Sequence, residues 1–190
     1  MIEKALRFTK EVFNQYLVNK FGLDEEVVVI NRIVDEGGSQ PLENTNKVVI
    51  SLIHIDQETN QQFYNKARRT SEGNYVAAPA SQRFNLYILI VPSYEDYEEG
   101  LKFLNASIQF FQAYALLDAE KSSQIPEGIL RLEFQLEKED GYMQMQNLWT
   151  ALGAKFQPSM IYRMKLIIID ADQIDGFQSK VSTSKTNTIQ

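Results

Sequence analysis

The single histidine of the chain, His54, is the first residue whose side chain could do chemistry at neutral pH. A histidine can act as a general base or a metal ligand, but either role needs partner side chains around it. The chain has no cysteine and no second histidine to supply them. His54 also lies in the apolar run KVVISLIHI, where Ile53 and Ile55 point to the opposite face of a strand. We interpret it as a strand residue that faces a loop or an interface.

A second candidate is the carboxylate-rich run at residues 170–176, DADQIDG. Its spacing partly matches a calcium-binding loop, in which alternating oxygen ligands precede a glycine and a glutamate closes the loop. The match fails at Ile174, and Val181 stands where the closing glutamate belongs. We interpret the run as a strand end that continues into a polar tail, and we expect no metal and no cofactor.

Two further sequence patterns could indicate a functional site, but the residues around them favour a structural role. The GGS at residues 37–39 has no Lys-Ser or Lys-Thr and no helix after it, so it predicts a turn rather than a phosphate cradle. Four carboxylates cluster where a helix is predicted to begin: Glu95, Asp96, Glu98 and Glu99. Carboxylates complement the helix dipole there, so we favour a solvated helix start over an acid–base pair. With no catalytic constellation, we expect a protein that is not an enzyme.

The most distinctive polar segment runs from Gln57 to Ser81 and has little to bury. It places three cations on a chain of formal net charge −6, and aromatic residues flank its turn signal at Ser71–Asn74. The candidate partner-binding residues are Tyr64, Lys66, Arg68, Arg69 and Tyr75. The segment predicts a protruding hairpin, or arm, that joins two neighbouring strands. It either grips an acidic partner or is an exposed polar loop, and the sequence leaves both interpretations open.

Composition excludes several classes of function. The 190 residues suit one domain, and the hydrophobic fraction of 44% is enough for a core. An acidic chain is a poor candidate for nucleic-acid binding, which needs clustered Lys and Arg. No apolar run reaches the ~18 residues of a membrane span, and the N-terminus lacks the apolar core of a signal peptide. We therefore expect no nucleic-acid partner and no membrane partner.

The elements that position these residues are predicted from apolar periodicity. Helical spacing predicts a first helix over Ile2–Lys20 and a second over about Tyr94–Ala115, opened by a capping box from Ser93 to Asp96. The predicted apolar seam of the second helix consists of Tyr97, Leu101, Leu104, Ile108, Phe111 and Ala115.

Residues 141–170 combine a short third helix with a long apolar strand. Asp140 is placed to cap the helix, and Gly153 is placed to end it. Trp149 lies on the apolar face of this helix, where we expect a core residue rather than an interface residue. The following run, Met160–Ile169, suits a strand that is buried on both faces.

Four more strands are predicted from β-branched and alternating runs: Glu26–Val34, Lys47–Ile55, Gln82–Val91 and Ile129–Glu137. Loops rather than helices join the first three strands of the chain, so we expect an antiparallel meander. The fold class is α+β, with a single mixed, largely antiparallel sheet of about five strands and helices packed on one face. We expect one domain over residues 1–170, with the arm protruding at 57–81, and a polar C-terminal tail at 171–190.

Three stretches together carry a family resemblance. They are the N-terminal MIEKALRF, the strand–helix unit NLYILIVPSYEDYEEGLKFLNASIQFFQ, and NLWTALGAKFQPSMIYRMKLIIID. The most specific part is the pattern LW-x-x-LGAK-x-x-PS-x-x-Y from Leu148 to Tyr162. Up to about Asp170 the chain resembles the cap, or tail-terminator, proteins of contractile injection systems.

The resemblance implies a structural role and a tail-terminator-like fold. Members of this family form a hexameric ring that closes the membrane-distal end of the inner tube and contractile sheath and fixes particle length. The expected partners are therefore other copies of the chain, the tube and the sheath, in a particle assembled in the cytoplasm. Members of this family have no catalytic residues, so the resemblance assigns none to this chain. The alternative is a monomeric adaptor or binding module of similar fold.

Overall fold

The computed structural model describes residues 1–58, 68–69, 75–77, 82–118, 125–127, 129, 131–137, 141–169 and 176–178. The chain forms two compact units. Unit 1 consists of Met1–Gln57 and Arg83–Ile168, and unit 2 consists of Glu58–Gln82 and Ile169–Gln190. The predicted arm and the predicted tail therefore belong to the same unit, whereas the projection of the arm from the domain stays a prediction.

The described strands, in chain order, are β1 Val28–Ile30, β2 Lys47–Gln57, β3 Arg68–Arg69, β4 Tyr75–Ala77, β5 Gln82–Ser93, β6 Leu116–Asp118, β7 Arg131–Leu136, β8 Met160–Ile169 and β9 Gly176–Gln178. Six of them form the main sheet, in the order β1-β2-β5-β8-β7-β6. The other three form a small antiparallel sheet, β3-β4-β9, within unit 2. The main sheet contains one strand more than expected, because the three residues of β6 are too few to give a sequence pattern.

The described helices are α1 Ile2–Phe21, α2 Tyr97–Ala113 and α3 Gly141–Leu152. The third has the predicted length, and Gly153 ends it with a left-handed φ of 66°; the predicted cap, Asp140, lies outside the described residues. The start of α2 differs from the prediction. Its N-cap is Asp96, whose carboxylate accepts a hydrogen bond from the Glu99 amide at 2.8 Å. Ser93 instead ends β5, where its hydroxyl accepts a hydrogen bond from the Gln40 side chain. None of the helices in the described ranges is both long and apolar enough to cross a membrane.

The predicted antiparallel meander is wrong at its first pair. β1 runs parallel to β2, with Val28 beside Val48, whereas β2 and β5 are antiparallel as expected. The loop between β1 and β2 carries the chain back to the end of the sheet from which β1 starts. A sequence pattern specifies the strands but not the path of a 16-residue excursion over residues 31–46.

Two helices cover one face of the main sheet. The Phe13 ring of α1 stacks on the Phe110 ring of α2, with centroids 4.5 Å apart. Phe111 stacks on Tyr162 of β8 at 4.2 Å and meets Phe134 of β7 edge-on at 5.2 Å. These rings form the centre of the larger apolar core.

The third helix covers the opposite face. Trp149 is 2% exposed and packs in a cluster with Ile33, Val49, Leu89, Val91 and Ile161. Ile161 and Tyr162 are adjacent in β8, so their side chains point to opposite faces of the sheet. The α+β class and the mixed sheet are confirmed, but helices pack on both faces of the sheet rather than on one.

The buried face of α2 also differs from the prediction. The buried residues are Phe103, Ala106, Ser107, Phe110 and Phe111. Of the predicted seam, Phe111 is buried, Leu104 and Ile108 are half-buried, and Tyr97, Leu101 and Ala115 are exposed. Helix α2 therefore carries two apolar faces, and periodicity alone does not indicate which of them meets the sheet.

The Trp149 packing predicts a large effect of truncation. Trp149→Ala should lower the free energy of unfolding by roughly 3–5 kcal/mol, because it empties the core between α3 and the sheet. Trp149→Phe, the matched control, should cost markedly less. Urea unfolding followed by circular dichroism measures both changes. Unchanged stability of Trp149→Ala, together with lost assembly, would make Trp149 an interface residue instead.

Candidate partner-binding surfaces

The described residues with catalytic potential do not converge. His54 is exposed, next to an irregularity in β2, and its ring contacts that of Tyr87 at 5.4 Å between centroids. In the described ranges no three His, Cys, Asp or Glu side chains cluster closely enough to hold a metal ion. The calcium-like run at 170–175 lies outside the described residues.

The five predicted partner-binding residues are only partly placed. Arg68 and Arg69 form β3, and Tyr75 begins β4, with Arg69 directly opposite Tyr75 in the antiparallel register. These two strands pair antiparallel, whereas the protruding hairpin over 57–81 stays a prediction. Tyr64 and Lys66 lie outside the described residues. The binding role of all five stays a prediction.

The outer side of α2 is the first candidate surface, although the sequence predicted that its apolar residues would be buried. Tyr97 is 66% exposed and Leu101 is 41% exposed. With Leu104 and Ile108 they recur every three to four residues, which aligns them along one side of the helix. We call these four residues the outer α2 stripe.

The stripe leads into a groove of about 550 Å³ beside β7. Apolar groups from the helix and the sheet line it, among them Ile108, Phe111, Phe134, Leu136 and Tyr162. Burial raises the pKa of the Tyr162 phenol to about 12.

An ion pair closes one side of the groove. Arg163 Nε lies 3.3 Å from Glu137 Oε2, and the Glu137 side chain is only 9% exposed. The two atoms lack hydrogen-bond geometry, so the contact is mainly electrostatic. The Arg163 guanidinium also lies 5.8 Å from the centroid of the Tyr87 ring.

The end of the sheet where β8 begins presents a second group of exposed apolar residues. Leu42 is 87% exposed and Phe156 is 61% exposed. Gln40 joins their loops, because its amide nitrogen donates to Ser93 Oγ at 2.8 Å and its amide oxygen accepts from Gln157 at 3.3 Å. Nothing in the sequence distinguished these residues, since single apolar side chains in polar loops are common.

The acidic start of α2 adjoins these loops. Asn46 accepts a hydrogen bond from the Glu95 amide at 3.1 Å, which ties the start of α2 to the loop before β2. Burial, and then the charges of Glu99 and Glu25, raise the pKa of the Tyr94 phenol far above its usual value. Glu95 and Glu98 are exposed, as the predicted solvated helix start requires.

A third surface lies on the outer side of α1. Tyr16 and Tyr114 meet at 6.0 Å between ring centroids, and Lys20 lies over the Tyr16 ring at 5.6 Å. Together with Glu11, Val12, Gln15 and Asn19 they line an open groove of about 660 Å³. Its polar, mixed-charge lining suits water better than an apolar partner.

Comparison with known proteins identifies a family. The family model described as the Pvc16 N-terminal domain matches residues 8–183, which is most of the chain. No curated protein sequence matches.

Two solved structures share the fold. One is the sheath and tube terminator, in the extended state, of PVC, an extracellular contractile injection system. The two sequences are 13% identical, the match covers 93% of this chain and 62% of that chain, and the TM-score is 0.59. The other is the tube-terminating cap of the anti-feeding prophage. The sequences are 15% identical, the match covers 94% of this chain and 60% of that chain, and the TM-score is 0.57. At these identities the likeness establishes the fold, and this chain spans about six tenths of each of those chains.

The two ion pairs that Arg163 and Lys165 of β8 form with Glu137, just after β7, and with Glu133 of β7 predict a contrast in stability. Glu137→Ala should cost ~1–3 kcal/mol, because Arg163 loses the buried partner of its charge. Glu133→Ala removes the exposed partner of Lys165, also at 3.3 Å, and should cost ~0–1 kcal/mol. Urea unfolding of the two variants tests this, and equal losses would contradict it.

Proposed function

This chain belongs to the Pvc16 N-terminal domain family, and from that membership we propose that it is the cap, or terminator, of a contractile injection system. It closes the distal end of the inner tube and sheath as a ring and fixes their length. The observation that carries the proposal is the family match over residues 8–183, and the fold shared with two terminators supports it. Because this chain spans only part of those terminators, every partner named here is part of the proposal.

The described surface fits a subunit that works by contact. Large apolar side chains are exposed in groups that include Leu42 and Phe156 in the loops and Tyr97 and Leu101 on α2. Grouped exposed apolar residues typically mark protein interfaces. We therefore assign the chain no catalytic role.

The ring is proposed to be cyclic and head-to-tail, with six copies as the family resemblance implies. In such a ring one surface of each subunit contacts a different surface of the next. The partners are then other copies of this chain, the inner tube and the sheath. Assembly takes place in the cytoplasm, before the particle is anchored or released. A monomeric adaptor, the alternative function, would bind the particle without contacts between copies.

Removing the protein tests the terminator role. Particles assembled without it should have a broad length distribution, because nothing stops tube and sheath growth, and supplying the wild-type chain should restore one length. Electron micrographs of negatively stained particles give the lengths directly. A single unchanged length without the protein would contradict the proposal.

The arm is proposed to bind acidic groups of a neighbouring subunit, the tube or the sheath. Arg68 and Arg69, with Lys66, supply positive charge on a chain of net charge −6, and Tyr64 and Tyr75 supply contact area. Each exposed charge pair is weak, ~0–1 kcal/mol, but a ring repeats the contact around its axis.

Charge reversal tests the arm. Arg68→Glu/Arg69→Glu should leave the melting temperature nearly unchanged and reduce the fraction of capped particles. The reduction should be larger at low salt, where the reversed charges repel without screening. Capped particles are counted at two salt concentrations. Undiminished capping at both would make the arm a solvated loop.

A further inference from the structure

Helix α2 carries an apolar seam that the described fold covers only in part. The outer α2 stripe advances by four, three and four residues, which is the spacing of a seam that repeats about every 3.5 residues. Phe103 and Phe110, which contact rings of α1, lie on a different side of α2. Tyr97 and Leu101 remain 66% and 41% exposed. The stripe is therefore separate from the face that holds α2 against α1.

A seam with this spacing suits a second helix. Side chains of two helices interdigitate over several turns when the apolar residues of both recur at this interval. The stripe spans about three turns, or ~16 Å, whereas an extended strand alternates its side chains between two faces and does not match it. At its far end the stripe continues into the groove of about 550 Å³ that Phe134 and Leu136 of β7 help to line. A helix along the stripe would thus also contact the sheet.

The charge beside the stripe specifies one flank of that second helix. Glu98 lies at the start of the stripe, is exposed, and in the described ranges forms no ion pair. Lys102 follows it by four residues, the spacing at which such pairs form, but its Nζ lies 4.6 Å from the centroid of the Phe21 ring. Asn105 and Gln112, which continue the same flank at seven-residue steps, are exposed and neutral. The complementary helix therefore carries a lysine or arginine opposite Glu98.

None of the three described helices of a second copy combines an exposed apolar seam with such a cation. Helix α1 has four lysines and arginines, but none of its large apolar side chains is exposed. Helix α3 exposes Met143 but has no lysine or arginine. Helix α2 has only Lys102, which contacts Phe21. The exposed cations Arg131 and Lys155 lie on β7 and in the loop after α3 rather than on a helix.

We propose that the outer α2 stripe binds a helix of a different protein, with an apolar seam at the same spacing and a lysine or arginine on its flank. The seam supplies the contact area, as in other complexes in which an apolar helix face is recognised. The charge pair at Glu98 sets the direction in which the helix lies, because only one end of the stripe is charged. The inference goes beyond the proposed ring and does not depend on it.

Three synthetic helical probes test the stripe on the isolated chain. The first has leucine at both seam positions of about three heptads and lysine on both flanks. The second has glutamate in place of lysine, and the third has the composition of the first without a seam. Fluorescence anisotropy at physiological salt should give micromolar binding of the lysine probe and no measurable binding of the seamless probe. The glutamate probe should bind at least about fivefold more weakly than the lysine probe, since an attractive pair becomes repulsive.

Variants of the apolar residues localise the binding on the chain. Tyr97→Ser/Leu101→Ser should weaken binding of the lysine probe at least about tenfold, because it removes exposed contact area. Its melting temperature should change little, since both side chains are exposed and the Asp96 cap is kept. Met143→Ser is the matched control, because Met143 is 60% exposed on a different helix. It should leave binding within about twofold of the wild type.

A charge variant tests the flank. Glu98→Lys should reduce the preference for the lysine probe over the glutamate probe at least about threefold. Glu43→Lys makes the same change of charge at an exposed residue of another loop and should leave the preference unchanged. An equal effect of both variants would show that only the net charge of the chain matters, which contradicts the proposed pair at Glu98.

Two further results would overturn the proposal. One is a lysine probe that binds no better than the seamless probe, or that binds the Tyr97→Ser/Leu101→Ser variant as tightly as the wild type. The other is self-association of the wild-type chain in sedimentation that this variant abolishes, since a second copy would then be the occupant. All of these measurements use the isolated chain. They can therefore fail while the wild-type chain still restores a single particle length, and the terminator role would then stand.

Discussion

The structure depends on burying both faces of one strand, β8. On one face Tyr162 stacks under Phe111 of α2, and on the other Ile161 packs against Trp149 of α3. Each side of β8 thus fixes a different helix to the same sheet. The Trp149 indole also donates a hydrogen bond to Ser159 Oγ at 3.3 Å, immediately before the strand begins. These contacts hold the loop from α3 to β8, and with it the exposed Phe156, in one position.

This packing determines what the surface can display. The sheet is buried between α1 and α2 on one face and α3 on the other. The exposed apolar residues of unit 1 include Tyr97 and Leu101 on the outer side of α2 and Leu42 and Phe156 in the loops at one sheet end. An enzyme typically concentrates polar groups in a deep pocket, whereas the described grooves are open and their charged residues are paired or solvated. A subunit of the proposed ring would instead need a rigid core and at least two exposed surfaces that contact other proteins.

The sequence predicted α3 and β8 to the residue, because Gly153 and a long β-branched run leave few alternatives. It did not predict that β1 runs parallel to β2, since strand direction depends on the path of residues 31–46 rather than on their composition. It selected a seam on α2 of which only Phe111 is fully buried, because Tyr97 and Leu101 fit helical periodicity as well as Phe103 and Phe110 do. For the candidate surfaces, the binding role that the sequence assigned to the basic arm stays a prediction. The α2 stripe was not predicted as a surface, since only packing shows which apolar residues remain uncovered.

Cryo-electron microscopy of purified particles that carry this chain tests the central claim most directly. The account predicts a closed ring of identical subunits at the distal end of the tube and sheath, in each of which the density fits α1 and α2 on one face of the sheet and α3 on the other. The account would be contradicted by density for the chain along the shaft and at neither end. Density that shows the chain only as two-fold dimers would also contradict it.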